Sequence, residues 1–398
     1  MGPSKLLFFI IILAACLTQI AADIYTPSIP AIADHFDSTF QWVQWTMASY
    51  VFGVAVSQLF YGPLSEGIGR KKPIIIGLGI MLLGSLLAWM STNVIFLIIA
   101  RLIQGIGAGA CAALWRSIIR DVLSGAQLAK YGSYFAIVIT FVVPAAPTLG
   151  GYFQEYFGWQ ASFVFMIFYT LIALVTFVYG FSETSVHHHP DKINYTFAKD
   201  TFATLIKSPL FMGVTVCTFL SYGSLFASIT IAPILLIHHL EMNTVAFGWL
   251  MFMGTALAYS LSGFTNGKLV TRFGIVNMMR LGLFIMLIAG ILMLMVSTFF
   301  ELSVLSVVLP IFLFYYGSTF IWPNAFALAF SPFGHIAGYA GALYGAMQIG
   351  GGAVITGLVS LLPESNQITL AMTILCTTSL AWIVLEKISA KPKEITAN

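Results

Sequence analysis

The stretch LLFFIIILAACLTQIAADIYTP, residues 6–27, contains a single charged side chain, that of Asp23. A helix needs about 20 apolar residues to cross the hydrocarbon core of a bilayer, so this stretch predicts a transmembrane helix. It is too long for the apolar region of a cleaved signal peptide, and no small-x-small site precedes Asp23. We therefore expect it to remain in the mature chain.

The rest of the chain has the same character. Its 398 residues include 17 lysines and arginines and 14 aspartates and glutamates, together 8% of the chain, and 59% are hydrophobic. A soluble domain carries roughly 25% charged residues. So few charges cannot cover so much apolar surface, which excludes a soluble enzyme, a nucleic-acid binder and a secreted disulfide protein.

Twelve continuous apolar stretches are candidate membrane-spanning helices, whereas barrel strands would alternate over about ten residues. They are residues 6–27, 42–62, 74–92, 95–117, 133–153, 161–181, 210–236, 245–266, 278–298, 303–328, 336–360 and 368–386. With twelve spans, every lysine and arginine except Arg101 falls on one side of the membrane. The loops on the opposite side carry aspartates and glutamates but no lysine or arginine. Both termini are therefore predicted to be cytoplasmic.

The polar segment 182–208 divides the chain into residues 1–181 and 209–398, with six predicted helices each. Residues 62–69 and 267–274 share Gly, Leu and Gly at one constant offset of 205 positions. Two related bundles in the same orientation are typical of a duplicated transporter. The predicted fold is an all-α membrane protein of two six-helix bundles.

Asp23 is the clearest carboxylate inside a predicted span, and it lies close to Pro27 and Pro30. Burying an ionised carboxylate in a low dielectric is costly, which favours the protonated form near physiological pH. A carboxyl group that binds and releases a proton is what a proton-coupled transporter needs. The alternative is an aspartate at the outer end of the helix that faces water.

Arg101 is the basic residue inside a span and the natural counter-charge of Asp23. Arg101, Gly105 and Gly109 are spaced four residues apart and share one helix face, where the glycines allow a neighbouring helix to approach. Arg101 cannot release its own proton but can influence a nearby carboxylate, and Gln104 beside it offers further donors. The alternative is an arginine that extends to the outer membrane interface.

Two segments are candidate gates. Residues 62–72 combine turn-forming glycines with a basic cluster, and there Glu66 is placed to bind a helix N-terminus of the other half. An ordinary charged loop is the alternative. Residues 144–151 suit a hinge, because prolines remove backbone hydrogen bonds and small residues permit close contact. The predicted gating residues are Gly62, Glu66, Gly69, Arg70, Pro144, Pro147, Gly150 and Gly151.

The second half is rich in aromatic residues with a few polar ones between them, including Tyr315, Trp322 and Tyr344. Aromatic walls with few polar groups suit amphipathic organic ligands. Packing in the core or against lipid is the alternative for each residue. The predicted substrate-contacting residues are Tyr25, Gln104, Arg116, Tyr222, Phe226, Tyr316, Asn324 and Gln348.

Four motifs together resemble the major facilitator superfamily, and within it the drug–proton antiporters of the bicyclomycin/chloramphenicol-resistance (Bcr/CflA) type. They are DIYTPSIP at residues 23–30, GPLSEGIGRK at 62–71, RLIQG at 101–105, and PTLGG at 147–151, which Gly158-Trp159 follows. The chain departs from the family pattern at Glu66, where aspartate is usual, at Gly67, which is commonly basic, and at Gln160, which is usually arginine.

This resemblance implies proton-driven export of small amphipathic compounds across a bacterial inner membrane by alternating access. Asp23 would carry the proton, Arg101 would modulate it, and Glu66 would act at the gate. We expect no cofactor, no metal, no enzymatic activity and no nucleic-acid partner. The expected partners are the substrate, protons and the bilayer, and the expected state is a monomer. The alternatives are a transporter of one metabolite, peptide or siderophore, or a membrane receptor or enzyme that kept the fold.

Overall fold

The computed structural model describes residues 5–123, 131, 134, 138, 140–142, 144–185, 195–363 and 366–390, and their regular elements are all helical. The α-helices are α1 Lys5–Asp23, α2 Ile29–His35, α3 Phe40–Ile68, α4 Lys71–Trp89, α5 Val94–Val122, α6 Ala145–Phe157, α7 Gln160–Val175, α8 Tyr195–Lys207, α9 Pro209–Pro233, α10 Thr244–Phe273, α11 Ile275–Phe299, α12 Val304–Ser318, α13 Trp322–Phe330, α14 Ala337–Val359 and α15 Ile368–Ser389.

Side-chain caps define where several helices begin. The Asn93 side chain accepts a hydrogen bond from the backbone of Phe96 and starts α5. Asn243 starts α10 in the same way. Ser303 and Ser306 bond to each other's backbone N–H groups at the start of α12. Each cap satisfies a donor that would otherwise stay unpaired near the membrane surface.

Ten helical segments of the described chain are long and apolar enough to cross a membrane. Of the twelve predicted stretches, 42–62 corresponds to α3, which has 29 residues but is not among these ten. Stretch 133–153 lies partly outside the described residues, as does the segment 182–208. The number twelve therefore remains a prediction.

Two stretches predicted as single helices are broken by proline. Residues 6–27 form α1 only as far as Asp23, and a short 3₁₀ turn at Thr26–Ser28 then leads into α2. Residues 303–328 divide into α12 and α13, and Pro323 lies in the first turn of α13. Proline has no N–H group and therefore fits the first turn of a helix, where the N–H groups have no partner in the helix. Pro63 and Pro310 lie inside helices that continue past them.

The predicted loop 62–72 is shorter than expected. Helix α3 continues through Ile68, and only Gly69 and Arg70 separate it from α4. Gly69 has a φ of +88°, and Gly274 at the matching position of the second half has a φ of +80°. Glycine tolerates this left-handed conformation without steric cost, so the repeat read from the sequence extends to the backbone.

Buried apolar side chains form two clusters, one drawn almost entirely from residues 10–181 and the other from residues 205–385. Between them, α3 packs along α14, with Gly62 against Ala342. Helix α6 packs on α10, with Gly151 against Thr244. Among the described residues, no atom lies within 4 Å of a Cβ built on Gly267, near the other end of α10.

The two ends of the bundle differ in charge. We call one the basic end, which carries Arg70, Lys71, Arg120, Lys268 and Arg272. The opposite end carries Asp34, Glu155, Glu241 and Glu301. The contact between Gly151 and Thr244 places the packing of α6 on α10 at the opposite end. Toward the basic end, the described residues leave α10 open beside Gly267.

Candidate functional site

A cavity of about 580 Å³ lies between the two halves and is lined by residues of α1, α3, α5, α6, α9, α10, α12, α13 and α14. Its volume falls in the range of sites for drug-sized ligands. The charged side chains that line it, within the described chain, are those of Asp23 and Arg116. The remaining lining is mainly aromatic, aliphatic and hydroxyl-bearing.

Asp23 is the last residue of α1 and lies at the cavity wall with 6% of its surface exposed. Gln19, one turn earlier, donates from Nε2 to both carboxylate oxygens at 3.3 and 3.2 Å. The Thr26 hydroxyl donates to the backbone oxygen of Asp23 at 2.7 Å. Asp23 is therefore a buried carboxyl group that reaches the cavity, not an aspartate exposed to bulk water.

Arg101 is completely buried between aromatic rings. Its guanidinium carbon lies 4.3 Å from the ring centre of Tyr25 and 4.1 Å from that of Tyr50. Nη1 donates to the backbone oxygen of Ala21 at 3.0 Å and to Oε1 of Gln104 at 2.5 Å. Cation–π contacts of this kind are strongest when water is excluded. The side chain does not extend to the membrane interface, which was the alternative interpretation of this residue.

Arg101, the proposed counter-charge of Asp23, forms no direct ion pair with it. None of the ion pairs in the described chain joins these residues, and Nε and Nη2 of Arg101 have no hydrogen-bond partner. Arg101 instead reaches α1 through Ala21, two residues before Asp23. The charge of Arg101 can therefore act on Asp23 only across space and not through a direct contact.

Tyr25 and Gln104 were predicted to contact substrate, but they do not line the cavity. Both are fully buried beside Arg101. The Tyr25 hydroxyl is hydrogen-bonded to that of Thr46 at 3.0 Å, and Gln104 donates to the Ser85 hydroxyl at 2.9 Å. Their donors and ring faces are occupied by the protein, so their role here is to hold Arg101.

An aromatic wall faces Asp23 across the cavity and consists of Tyr222, Tyr259, Tyr315 and Trp322. Ring centres are 4.8 Å apart for Tyr222 and Trp322, and 5.8 Å apart for Tyr259 and Trp322. The indole N–H of Trp322 donates to the Ser221 hydroxyl. Tyr259 was not among the predicted substrate-contacting residues. In the sequence, only its aromatic ring among the small residues of α10 distinguishes it.

Of the other predicted substrate-contacting residues, Arg116, Tyr222 and Gln348 line the cavity. The Arg116 side chain is exposed to the cavity space and stacks on the ring of Trp115 at 4.4 Å.

Three residues of the second half lie outside the cavity lining. Asn324 donates to Asn266 at 2.8 Å, and the Tyr316 hydroxyl donates to that of Thr265 at 3.2 Å. The ring of Phe226 packs against Gly352. These side chains join helices of the same half, which a helical repeat alone does not distinguish from lining a cavity.

Arg70 is the centre of a charged cluster at the basic end. It donates to Glu66 and Asp121 at 3.0 Å each and to the Ser65 hydroxyl at 2.6 Å. Burial alone lowers the pKa of Arg70, but the bonds and charges of Asp121 and Glu66 outweigh burial and raise it. The cluster therefore stabilises a permanent cation at the turn between α3 and α4.

Glu183, which the sequence analysis did not single out, completes this cluster from the segment after α7. Its carboxylate accepts from the backbone N–H groups of Arg70 at 2.8 Å and Lys71 at 3.0 Å, at the start of α4. Gly69 leaves the space that this carboxylate occupies. Burial raises the pKa of Glu183, but the backbone N–H groups around it outweigh burial and lower it.

Of the predicted gating residues, Gly62, Glu66 and Gly151 contact the second half of the chain. Oε1 of Glu66 is 2.8 Å from the position of a Cβ on Gly338, in the first turn of α14. Pro144 precedes α6, and Pro147 lies in its first turn at the cavity wall. Gly150 packs directly on the backbone oxygen of Ile24.

Comparison with known proteins identifies the relatives of this chain. The family model of the Major Facilitator Superfamily matches residues 11–388. A bicyclomycin resistance protein homolog of Haemophilus influenzae is 28% identical, covering 90% of this chain and 91% of the relative. Multidrug resistance protein D of Escherichia coli is 28% identical over 92% and 91%, and a chloramphenicol resistance protein of Pseudomonas aeruginosa is 28% identical over 88% and 83%.

Proposed function

The chain belongs to the Major Facilitator Superfamily, and from this premise we propose that it is a proton-coupled exporter of small amphipathic organic compounds. It is a multi-pass protein of the bacterial inner membrane, and it shares a family with transporters rather than with enzymes. The names of its relatives, which refer to resistance to bicyclomycin, chloramphenicol and multiple drugs, support a role in efflux.

We propose that the chain crosses the membrane twelve times, in bundles formed by residues 1–181 and 209–398, with both termini in the cytoplasm. Ten spans, the long helix α3 and the apolar stretch 133–153 together support this number. The basic end would then be cytoplasmic, because positively charged loops are retained on that side.

The observation that carries the proposal is a buried carboxyl group at the wall of a drug-sized cavity. Asp23 has no ion-pair partner among the described residues and touches the cavity edge. Its neutral, protonated form would favour one conformation, and bound substrate would favour the other. Inward proton flow would then drive export, because each ligand shifts the equilibrium by its differential affinity for the two states.

Arg101 would act as a fixed electrostatic modulator of this step. A guanidinium stays charged, so it does not carry the transported proton itself. Arg101 touches α1 through Ala21, so a movement of α1 would change the distance between its charge and Asp23. Release and uptake of the proton would thereby follow the conformation.

Transport into liposomes with an imposed pH gradient tests this function. Purified wild-type protein is compared with Asp23→Asn and with Asp34→Asn, an exposed aspartate at the opposite end, using cationic, neutral and anionic compounds. We expect Asp23→Asn to lose gradient-driven transport and Asp34→Asn to behave as wild type. Full gradient-driven transport by Asp23→Asn would contradict the proton assignment.

A second candidate is a transporter of one anionic metabolite, peptide or siderophore. The position of Arg116 in the cavity wall favours it, since a guanidinium binds carboxylates and phosphates well. Transport of a single anionic compound, together with no transport of any cationic or neutral drug in the same liposomes, would favour this candidate.

A further inference from the structure

The cavity wall carries opposite charges at two different depths. Helices α1 and α5 run antiparallel, since Thr18 donates to the backbone oxygen of Ala108 at 3.0 Å and Arg101 reaches Ala21. Asp23 on α1 therefore lies at nearly the same depth along the bundle as Arg101 on α5. A rise of 1.5 Å per residue places Arg116 about 20 Å further toward the basic end.

The Cα–Cβ bonds of a helix tilt toward its N-terminus, and α1 and α5 have their N-termini at opposite ends of the bundle. The bonds from Gln19 hold the Asp23 carboxylate on the side of the basic end, and the Cα–Cβ bond of Arg116 is tilted the other way. This leaves a gap on the order of 10 Å between the carboxylate and the guanidinium, and no ion pair of the described chain closes it.

Aromatic rings line the cavity that holds both charges. They include Tyr222, Tyr259 and Tyr315. A carboxylate beside ring faces attracts an organic cation. A guanidinium open to the cavity attracts a carboxylate. The rings between them offer an apolar surface for a flat scaffold.

We propose that the cavity selects zwitterionic compounds, with the positive group at Asp23 and the negative group at Arg116, joined by an aromatic scaffold about 10 Å long. This inference rests on the proposed function, because it names the substrate class of the same cavity. A simple cation would leave the Arg116 guanidinium without a partner, and a simple anion would leave the Asp23 carboxylate without one. A zwitterion matches both charges.

The selectivity also fits proton exchange. An ammonium group and a proton would compete for the Asp23 carboxylate. Protonation of Asp23 removes its attraction for the ammonium group and favours release of the substrate. A zwitterion leaves as a neutral molecule, so its exchange for one proton would respond to the pH gradient and to the membrane potential through the proton alone.

Binding of three matched probes to the protein in nanodiscs tests the proposal. The zwitterion is 4'-(aminomethyl)biphenyl-4-carboxylic acid; its methyl ester is a cation and its N-acetyl derivative is an anion. We expect titration calorimetry at neutral pH to show that the zwitterion binds at least roughly tenfold more tightly than either derivative. Equal affinities of the three probes, or no binding of any of them, would overturn the proposal.

Variants assign the two ends of the probe. Arg116→Gln should abolish the advantage of the zwitterion over the ester, and Arg116→Lys should restore part of it. Asp23→Asn should abolish its advantage over the N-acetyl derivative. Arg120→Gln, one turn from Arg116 but outside the cavity lining, should change neither. An equal loss in Arg120→Gln would also overturn the proposal.

The binding experiment separates this inference from the proposed function. Suppose that the zwitterion has no advantage but that proton-driven transport of a cationic or neutral compound still depends on Asp23. The exporter function then stands and only the zwitterion selectivity fails. Loss of all proton-driven transport, with the zwitterion advantage intact, would contradict the exporter function alone.

Discussion

Arg101 shows how a buried cation is held without a carboxylate in contact. The ring faces of Tyr25 and Tyr50, the more distant ring of Phe163 at 5.9 Å and two acceptor oxygens surround it. These groups come from α1 and the residues that follow it, and from α3, α5 and α7. Desolvating a guanidinium is costly unless its surroundings compensate. This site requires a planar cation, because only a flat guanidinium stacks on two rings while it donates hydrogen bonds from its edge.

Replacing Arg101 by lysine should therefore be damaging although the charge is kept. An ammonium group makes no stacked contact with both Tyr25 and Tyr50, and loss of such desolvated contacts costs about 2 kcal/mol or more. We expect Arg101→Lys to lower the Tm in detergent and to reduce proton-driven transport, while Arg120→Lys changes neither. An unchanged Tm together with full transport would show that the charge alone is sufficient.

At the scale of elements, two adjacent glycines of α6 serve two different contacts. Gly150 packs on the backbone of Ile24, within the first half of the chain. Gly151 packs on the backbone of Thr244, at the start of α10 in the second half. In both places a Cβ would overlap a backbone oxygen, so an alanine would force the helices apart.

The two glycines should consequently give different phenotypes. Gly150→Ala should destabilise the protein in thermal unfolding by roughly 1–3 kcal/mol, the usual cost of overpacking. Gly151→Ala should instead disfavour the closed opposite end, so that a thiol reagent labels a cysteine introduced there by Glu155→Cys faster, with a smaller change in Tm.

Gly254→Ala is the matched control, because no described atom lies within 4 Å of a Cβ at that position. Thermal unfolding and labelling rates of this variant should both equal those of the wild type. Identical effects of Gly150→Ala and Gly151→Ala would contradict the separation of the two contacts.

The start of α4 is a second element-level case, since its first amides are capped by Glu183 from another segment. The pKa of Glu183 is lowered below 4.5 in the folded protein. A depressed carboxylate pKa contributes stability above the unfolded value, and this contribution is lost as pH falls through the folded pKa. The cap should therefore be intact at neutral pH and open in acid.

Hydrogen exchange of the Arg70 and Lys71 amides, corrected for intrinsic rates, measures this cap. Glu183→Gln should accelerate their exchange about fivefold at pH 7, because neutral hydrogen bonds are weaker than those to a carboxylate. The same substitution should make their protection independent of acidification. Glu301→Gln, in an exposed loop at the opposite end, should leave these amides unchanged.

At the scale of the whole molecule, the lengths of the apolar stretches predicted most of the helices, and one stretch coincides with one helix in α4, α5 and α15. They did not predict the break between α12 and α13, because the hydrophobic run continues across it to Pro323 and beyond. Length and hydropathy measure burial in lipid and do not report a break that neighbouring helices stabilise.

The site was predictable only in part for a related reason. A charge inside an apolar helix marks Asp23 and Arg101 in the sequence, because its cost must be compensated. The rings of Tyr25 and Tyr50 are far apart in sequence and look like any other aromatic residues. Which face of a helix meets which neighbour depends on tertiary packing, and this is why Gln104 was assigned to substrate and Tyr259 was missed.

The arrangement of the two halves places a specific constraint on movement. Helices α6 and α10 are in contact at the opposite end, where the Thr244 hydroxyl donates to Glu155 at 2.9 Å. Alternating access requires this end to open while the basic end closes. A covalent link across Glu155 and Thr244 should hold the end closed and stop transport, whereas a link within one half should not.

This expectation can be tested with a short bifunctional thiol reagent in a background in which the exposed Cys376 is replaced by serine. We expect Glu155→Cys with Thr244→Cys to lose proton-driven transport on cross-linking and to regain it on reduction. The control pair is Arg280→Cys with Glu386→Cys, whose native side chains meet at 2.7 Å within the second half. Because that exposed ion pair contributes little and joins parts that move together, its cross-link should leave transport intact. Transport that persists in the fully cross-linked Glu155–Thr244 protein would mean that the two halves do not separate at this end, and the rocking mechanism would then have to be abandoned for this chain.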